Sequence, residues 1–197
     1  TMKAKITATF FLNPLRIFTC RAPLPLAAPG FAESAVDDVN PLIGTDAHGH
    51  VYPGATVPFG MVQLSPDTRD NGWDGTSGYH YSDTSILGFS CNPLTGTGCG
   101  DLGTVMLMPT VGPLKLVPGA KPGEGYRARF SHQDEVSRPG YYSVYLPDYQ
   151  VKVELTATAR AGFSRYTFPA TADAHVVVDL QHGIGNKVTE AQLTIEN

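Results

Sequence analysis

The sequence predicts an all-β fold, an antiparallel β-sandwich, and three observations carry that expectation. Gly and Pro number 21 and 16 in 197 residues, while only 16% of residues are charged. Turns of β proteins use these two residues for different reasons: glycine reaches positive φ, and proline arrives with φ already set. Apolar residues come in short runs bounded by such turn signals, and no helical period is sustained beyond two turns. The clearest period is two: Val151, Val153 and Leu155 alternate with Lys152 and Glu154, which marks a strand with one wet face.

Taken in order, residues 1–34 stand apart from the rest. Lys3 and Lys5 precede the apolar run Ile6-Thr7-Ala8-Thr9-Phe10-Phe11-Leu12, and Ala27-Ala28-Pro29-Gly30-Phe31-Ala32 supplies the small residues that signal peptidases cut beside. Asn13-Pro14 and Arg16 interrupt the apolar stretch. Two readings stand, a secretory signal of a secreted or periplasmic protein and a disordered or processed leader. Ile17-Phe18-Thr19 is bulkier than lipidation of Cys20 tolerates. The domain itself runs over 35–197. Strands are expected at 56–64, 86–90, 105–108, 126–130, 141–146, 151–158, 163–168 and 175–180. Val176-Val177-Val178 reads as a strand buried on both faces. The last residues, 191–197, read as a strand in progress with no turn or cap, so the sandwich is expected to be incomplete at its C-terminus. No stretch reaches the length of a membrane span.

Several functions are excluded or weakened. A net charge of −4 and a pI near 5.8 leave no basic stripe for a nucleic acid. The cysteines are Cys20, Cys91 and Cys99, an odd count; Cys91 and Cys99 would bridge in an oxidising compartment or stay as buried thiols. Gly98-x-Gly100-x-x-Gly103 has the dinucleotide spacing but runs into Thr104-Val105-Met106-Leu107-Met108, a strand, so no helix N-terminus awaits a pyrophosphate. Residues 70–81 fail as a calcium loop, with Gly72 at the third position and Tyr81 where a bidentate Glu belongs. On an extended segment His48 and His50 would share a face, but two ligands make no metal site, and hydrogen-bonding roles are favoured for them.

The unusual residues concentrate between His48 and Asp101, in Gly-, His-, Asp- and aromatic-rich loops that supply little core and so point to function. Sugars want such loops. A pyranose stacks its apolar face on an aromatic ring, and its hydroxyls seek planar or charged partners. Trp73, the only tryptophan, flanked by Gly72 and Asp74, suits the stacking role. Arg69 offers a rigid fork of donors, and His50, Tyr79, His80 and Asp101 complete the candidate substrate-binding set. The competing reading has Trp73 plugging the sandwich and Arg69 paired with a nearby Asp.

Read in series, Val39-Asn40-Pro41-Leu42-Ile43-Gly44-Thr45, the run from His48 to Thr56, Pro58 to Leu64, Pro66-Asp67-Thr68-Arg69, Gly72-Trp73-Asp74-Gly75, Ser77 to Asp83, Gly88-Phe89-Ser90, Gly96 to Asp101 and Leu107-Met108-Pro109 resemble one family. The pattern is similar to the N-terminal domain of glycoside hydrolase family 92, exported bacterial α-mannosidases. The resemblance implies a galactose-mutarotase-like supersandwich followed by a catalytic α/α toroid, absent from this chain, that holds the catalytic acid and base and a calcium ion. It implies an inverting exo-α-mannosidase acting on the mannose of N-glycans. This chain would lend loop residues to the sugar pocket, bind no metal, carry no catalytic residue and be inactive alone. A free-standing carbohydrate-binding module or an inactive remnant is the alternative. Two departures stand out: Cys91-Asn92-Pro93 replaces a His-Thr-His-like stretch and Thr104 stands where the family commonly has an Asp, which is expected to remodel the loop beside the pocket.

Overall fold

The computed structural model describes residues 34–95, 98–185 and 188–194. The expected leader and the expected strand over 195–197 lie outside them. Ten strands follow one another: β1 (Leu64–Asp67), β2 (Ser85–Ile86), β3 (Gly88–Pro93), β4 (Leu102–Val111), β5 (Ala128–Arg129), β6 (Val136–Arg138), β7 (Tyr141–Leu146), β8 (Val151–Ala157), β9 (Gly162–Thr167) and β10 (Ala174–Asp179). Helix among the described residues is limited to two single 3-10 turns, Trp73–Gly75 and His132–Asp134.

The strands make two four-stranded sheets, β1-β3-β4-β10 and β6-β7-β8-β9, and a short β2-β5 pair; every pairing is antiparallel. Period-two patterning decides the register. Tyr142, Val144 and Leu146 of β7 lie opposite Leu155, Val153 and Val151 of β8, and all six are buried. The intervening Lys152 pairs with Tyr145 on the outer face. A one-residue slip would put every one of these apolar side chains into water, so the register is strongly specified. Leu64, Phe89, Met106, Met108 and Val177 of the first sheet share one continuous core with these residues, which makes the architecture a sandwich.

Five sequence expectations need correction. The strand expected over 56–64 starts only at Leu64, because Pro58 lacks an N–H, Phe59 has φ 59°, and the Gly60 N–H closes a turn onto the Val57 carbonyl. The run over 86–90 divides between two sheets at Leu87, whose N–H turns to the Asp67 carbonyl. Of 126–130 only two residues are strand, since the Tyr126 and Arg127 N–H groups bond to the Val117 and Pro118 carbonyls. Val176 and Val178 are 44% and 42% exposed and only Val177 is buried, because successive side chains of β10 point to opposite faces and only the Val177 face packs on the core. Strand β6 was not anticipated: it is three residues long and gains its pairing from the hairpin turn at Pro139-Gly140. Residues 191–194 belong to no strand.

The departure at Cys91-Asn92-Pro93 ends β3, where a register irregularity follows Phe89. Asn92 sits at φ 57° and its side-chain oxygen accepts from the Gln63 N–H, so the irregular backbone is tied to the segment before β1. Cys91 and Cys99 are not bridged to each other.

Candidate functional site

Three irregular segments converge: 44–50, the 3-10 turn Trp73–Gly75, and 98–101. The 44–50 loop folds on itself at Gly49, where a Cβ would stand 2.0 Å from the Gly44 carbonyl oxygen, so no other residue fits. His50 follows at φ 52°, a left-handed backbone that is rare for a histidine and holds its ring inward. Tyr81 and His80 anchor the loop from below: the Tyr81 N–H donates to the Thr45 carbonyl, and His80 Nε2 donates to the Ala47 carbonyl at 3.1 Å.

Trp73 leads the 3-10 turn and is 60% exposed, which rules out the reading that it plugs the core. Its indole meets the His50 ring edge-on, with centroids 4.7 Å apart. With Asp70, Asn71, Gly72, Thr76, Gly98 and Gly185 it helps to line an open cleft of about 330 Å3. The floor is set by backbone bonds across the fold, the Gly185 N–H to the Asp70 carbonyl and the Ile184 N–H to the Leu102 carbonyl. Asp74, the next residue of the turn, accepts from His48 Nδ1 at 2.6 Å, and that bond holds its carboxyl below the ordinary carboxylate range.

Of the residues singled out from sequence, Trp73 and His50 stand together here, and the others are distributed around them. Arg69 lies under the turn, its Cγ and Cδ 3.2 and 3.4 Å from where a Gly75 Cβ would be. Its fork is taken by Asp83, with Nε and a terminal nitrogen on separate carboxylate oxygens at 2.7 and 2.5 Å. Burial alone would raise the Asp83 pKa, but the Arg69 and Thr68 hydrogen bonds bring it below the usual range. Tyr79 is buried in the core, donating to both oxygens of Glu135 at 3.0 Å. His80 is a buried strut of the 44–50 loop. Asp101 is exposed and its Oδ1 accepts from the Leu102 N–H, at the entry to β4.

Three residues that sequence reasoning did not single out prove central to this end of the molecule: Asp74 at the rim, Glu135 below Tyr79, and His182, which holds the buried Asp67 at 2.7 Å. Asp74 had a local signal, since a carboxylate next to the chain's only tryptophan suits hydroxyl recognition. His182 had none, because it lies 115 residues from its partner.

Gly98 shows how closely the tryptophan is seated. It has φ +62°, and a Cβ there would stand 2.3 to 2.8 Å from three indole atoms. Gly98→Ala is therefore expected to displace the indole, raising its accessibility to acrylamide quenching, and to cost about 1–2 kcal/mol because the backbone is also unsuited to alanine. Unchanged quenching would show that the indole does not depend on this seat.

Comparison with solved structures places this architecture among glycoside hydrolases. A family 92 alpha-mannosidase from Bacteroides thetaiotaomicron is 44% identical with a TM-score of 0.77, over 79% of this chain and 21% of that one. Its complex with mannoimidazole gives 45% identity and a TM-score of 0.75, over 77% of this chain and 20% of that one. An inverting mannosidase of the family from the same bacterium is 32% identical, with a TM-score of 0.58 over 73% of this chain and 19% of that one. The description "Glycosyl hydrolase family 92 N-terminal domain" matches residues 38–197. The chain belongs to glycosyl hydrolase family 92 and comprises its N-terminal domain. An uncharacterized secreted glycosidase of Arthroderma benhamiae is 28% identical over 141 residues, 66% of this chain and 17% of that protein. The chain thus spans about a fifth of the solved relatives' length. Among the described residues no helix is long and apolar enough to cross a membrane.

Proposed function

We propose that this domain supplies the sugar-facing loops of an exported, inverting, calcium-dependent exo-α-mannosidase acting on the mannose of N-glycans. The observation that carries the reading is the seating of Trp73: an indole held mostly in solvent over an open cleft, fixed by Gly98 below and His50 at its edge, beside a carboxylate. Exposing such a ring forgoes burial worth roughly 1.5–3 kcal/mol for a large apolar side chain, a cost that a stacking ligand offsets. Asp74, Asp70 and Asn71 present acceptors and an amide around it for hydroxyls.

In this reading the residues divide by task. Trp73 stacks on the pyranose and Asp74 accepts from a hydroxyl. Arg69, with its fork committed to Asp83, is a positioning residue whose stem supports the Trp73–Gly75 turn. His80 positions the 44–50 loop, and Tyr79 acts through the core. Protonation of the leaving oxygen and activation of water require two separated carboxyl groups, which the reading assigns to the catalytic domain. Calcium would bind mannose hydroxyls through oxygen ligands, and it too is assigned there.

The test is Trp73→Ala in the complete enzyme. We expect kcat/KM on an α-mannoside to fall about tenfold or more, equal to roughly 1.4 kcal/mol of transition-state binding, with the melting temperature unchanged. A stable variant with normal kinetics would remove Trp73 from the pocket and leave the domain a scaffold. Heat on titrating mannose into the isolated chain would instead support a free-standing binding module.

A further inference from the structure

We propose that His48, His50 and Asp74 form a binding site for a divalent cation of the zinc class. The inference goes beyond the sugar reading and does not rest on it. One ligand atom from each of the three residues lies within 4.8 Å of the others. His50 supplies the independent observation. Its side chain is only 5% exposed, its Nε2 makes no hydrogen bond among the described residues, and that nitrogen stands 3.6 Å from Asp74 Oδ1. A buried imidazole nitrogen without a partner is uncommon in folded proteins and calls for an explanation. The fold holds it there at the expense of a left-handed backbone at His50 itself.

The distances suit a tetrahedral ion. With metal–nitrogen and metal–oxygen bonds of about 2.0–2.1 Å, neighbouring ligand atoms stand roughly 3.3 Å apart. The His50–Asp74 separation is already close to that. The His48–Asp74 contact, at 2.6 Å, is a hydrogen bond whose proton occupies the place of the cation. Metal binding at Nδ1 displaces that proton, which the neutral imidazole carries on Nε2 instead, and opens the pair by a fraction of an ångström. His48 can make the move because its side chain is 76% exposed. Two imidazoles and one carboxylate favour zinc, copper, nickel or cobalt over calcium or magnesium. Three protein ligands leave a fourth position towards solvent, free for water or a sugar hydroxyl.

Trp73 makes the site directly observable. It is the only tryptophan in the chain, and its ring lies 4.7 Å from that of His50. Copper(II) or nickel(II) bound there would quench its fluorescence at short range. Titrating the 197-residue chain with nickel(II) at neutral pH is expected to give saturable quenching with one ion per chain. Zinc should reverse the quenching by competition, and millimolar calcium should not. His48→Ala, a change at an exposed side chain, should weaken binding at least tenfold, and Asp74→Asn should do the same. Mannose is absent from the experiment, so its outcome is separate from that of the Trp73→Ala kinetics. Quenching that does not saturate below a millimolar, survives both substitutions, or yields equally to calcium would overturn the proposal.

Discussion

Glu135→Ala is expected to destabilise the domain by about 4 kcal/mol, because it removes the acceptor at the centre of a buried polar network. The Glu135 side chain is fully buried and receives hydrogen bonds from three residues. Tyr79 donates to both oxygens at 3.0 Å, Tyr142 donates to Oε1 at 2.7 Å, and His132 Nδ1 meets Oε2 at 2.7 Å. Burial first, and the adjacent carboxylate second, push both phenols above their ordinary pKa of 10, so they remain donors throughout the accessible pH range. Without Glu135 both hydroxyls are left buried with no acceptor. Glu135→Gln, which keeps one carbonyl oxygen, should recover a good part of the loss. The check is chemical denaturation of the three proteins. A Glu135→Ala midpoint close to the parent's would mean that water replaces the carboxylate and that the network is not the keystone described. Because Tyr79 belongs to the segment that carries His80 and Tyr81, the same variant should loosen the 44–50 loop and expose more of Trp73.

Asp67→Ala is the second large effect, expected at about 3–5 kcal/mol, the cost of breaking one side of a buried ion pair. Asp67 and His182 are 0% and 5% exposed at their side chains and meet at 2.7 Å. The bond closes the loop after β10 onto β1, and that loop carries Ile184 and Gly185, the floor of the cleft. The pair also sets a pH dependence. Burial alone would lower the His182 pKa, but the hydrogen bond and charge of Asp67 outweigh it and the net direction is up. The Asp67 pKa is also raised, by burial against the opposing pull of His182. The folded pair therefore holds its proton more tightly than the unfolded chain does. Its stabilisation is fully present below about pH 6.5, the unfolded histidine value, and is lost as pH rises through the higher folded value. Stability curves at pH 6 and pH 8.5 should fall more steeply for the parent than for His182→Gln. Parallel curves would place the proton elsewhere.

How much of this was legible beforehand follows from the range of each signal. β7, β8 and β9 were located to within a residue or so, because alternation such as Val151-Lys152-Val153 is written in adjacent residues and only one register buries it. The strands that failed did so where their own residues carry no deciding pattern. β6 has three residues and no pattern of its own, and β10 reads as doubly buried although one face of it is wet. Family membership was legible from the serial motifs between Val39 and Pro109, and the match over residues 38–197 bears it out.

The candidate site divides along the same line. Trp73 was marked in the sequence only by its uniqueness and its Gly and Asp neighbours, and its exposure is a tertiary fact. Arg69 shows the opposite outcome, since its fork is spent on Asp83, fourteen residues away. The sequence by itself determined the fold class, the strong strands and the family, because these rest on local periodicity and on the order of short motifs along the chain. Only the tertiary structure decided that His48, His50 and Asp74 converge, that Glu135 gathers two tyrosines, and that Asp67 meets His182. Those meetings depend on which strands pair and which loops the pairing brings to one end, and no pattern within a single segment records them.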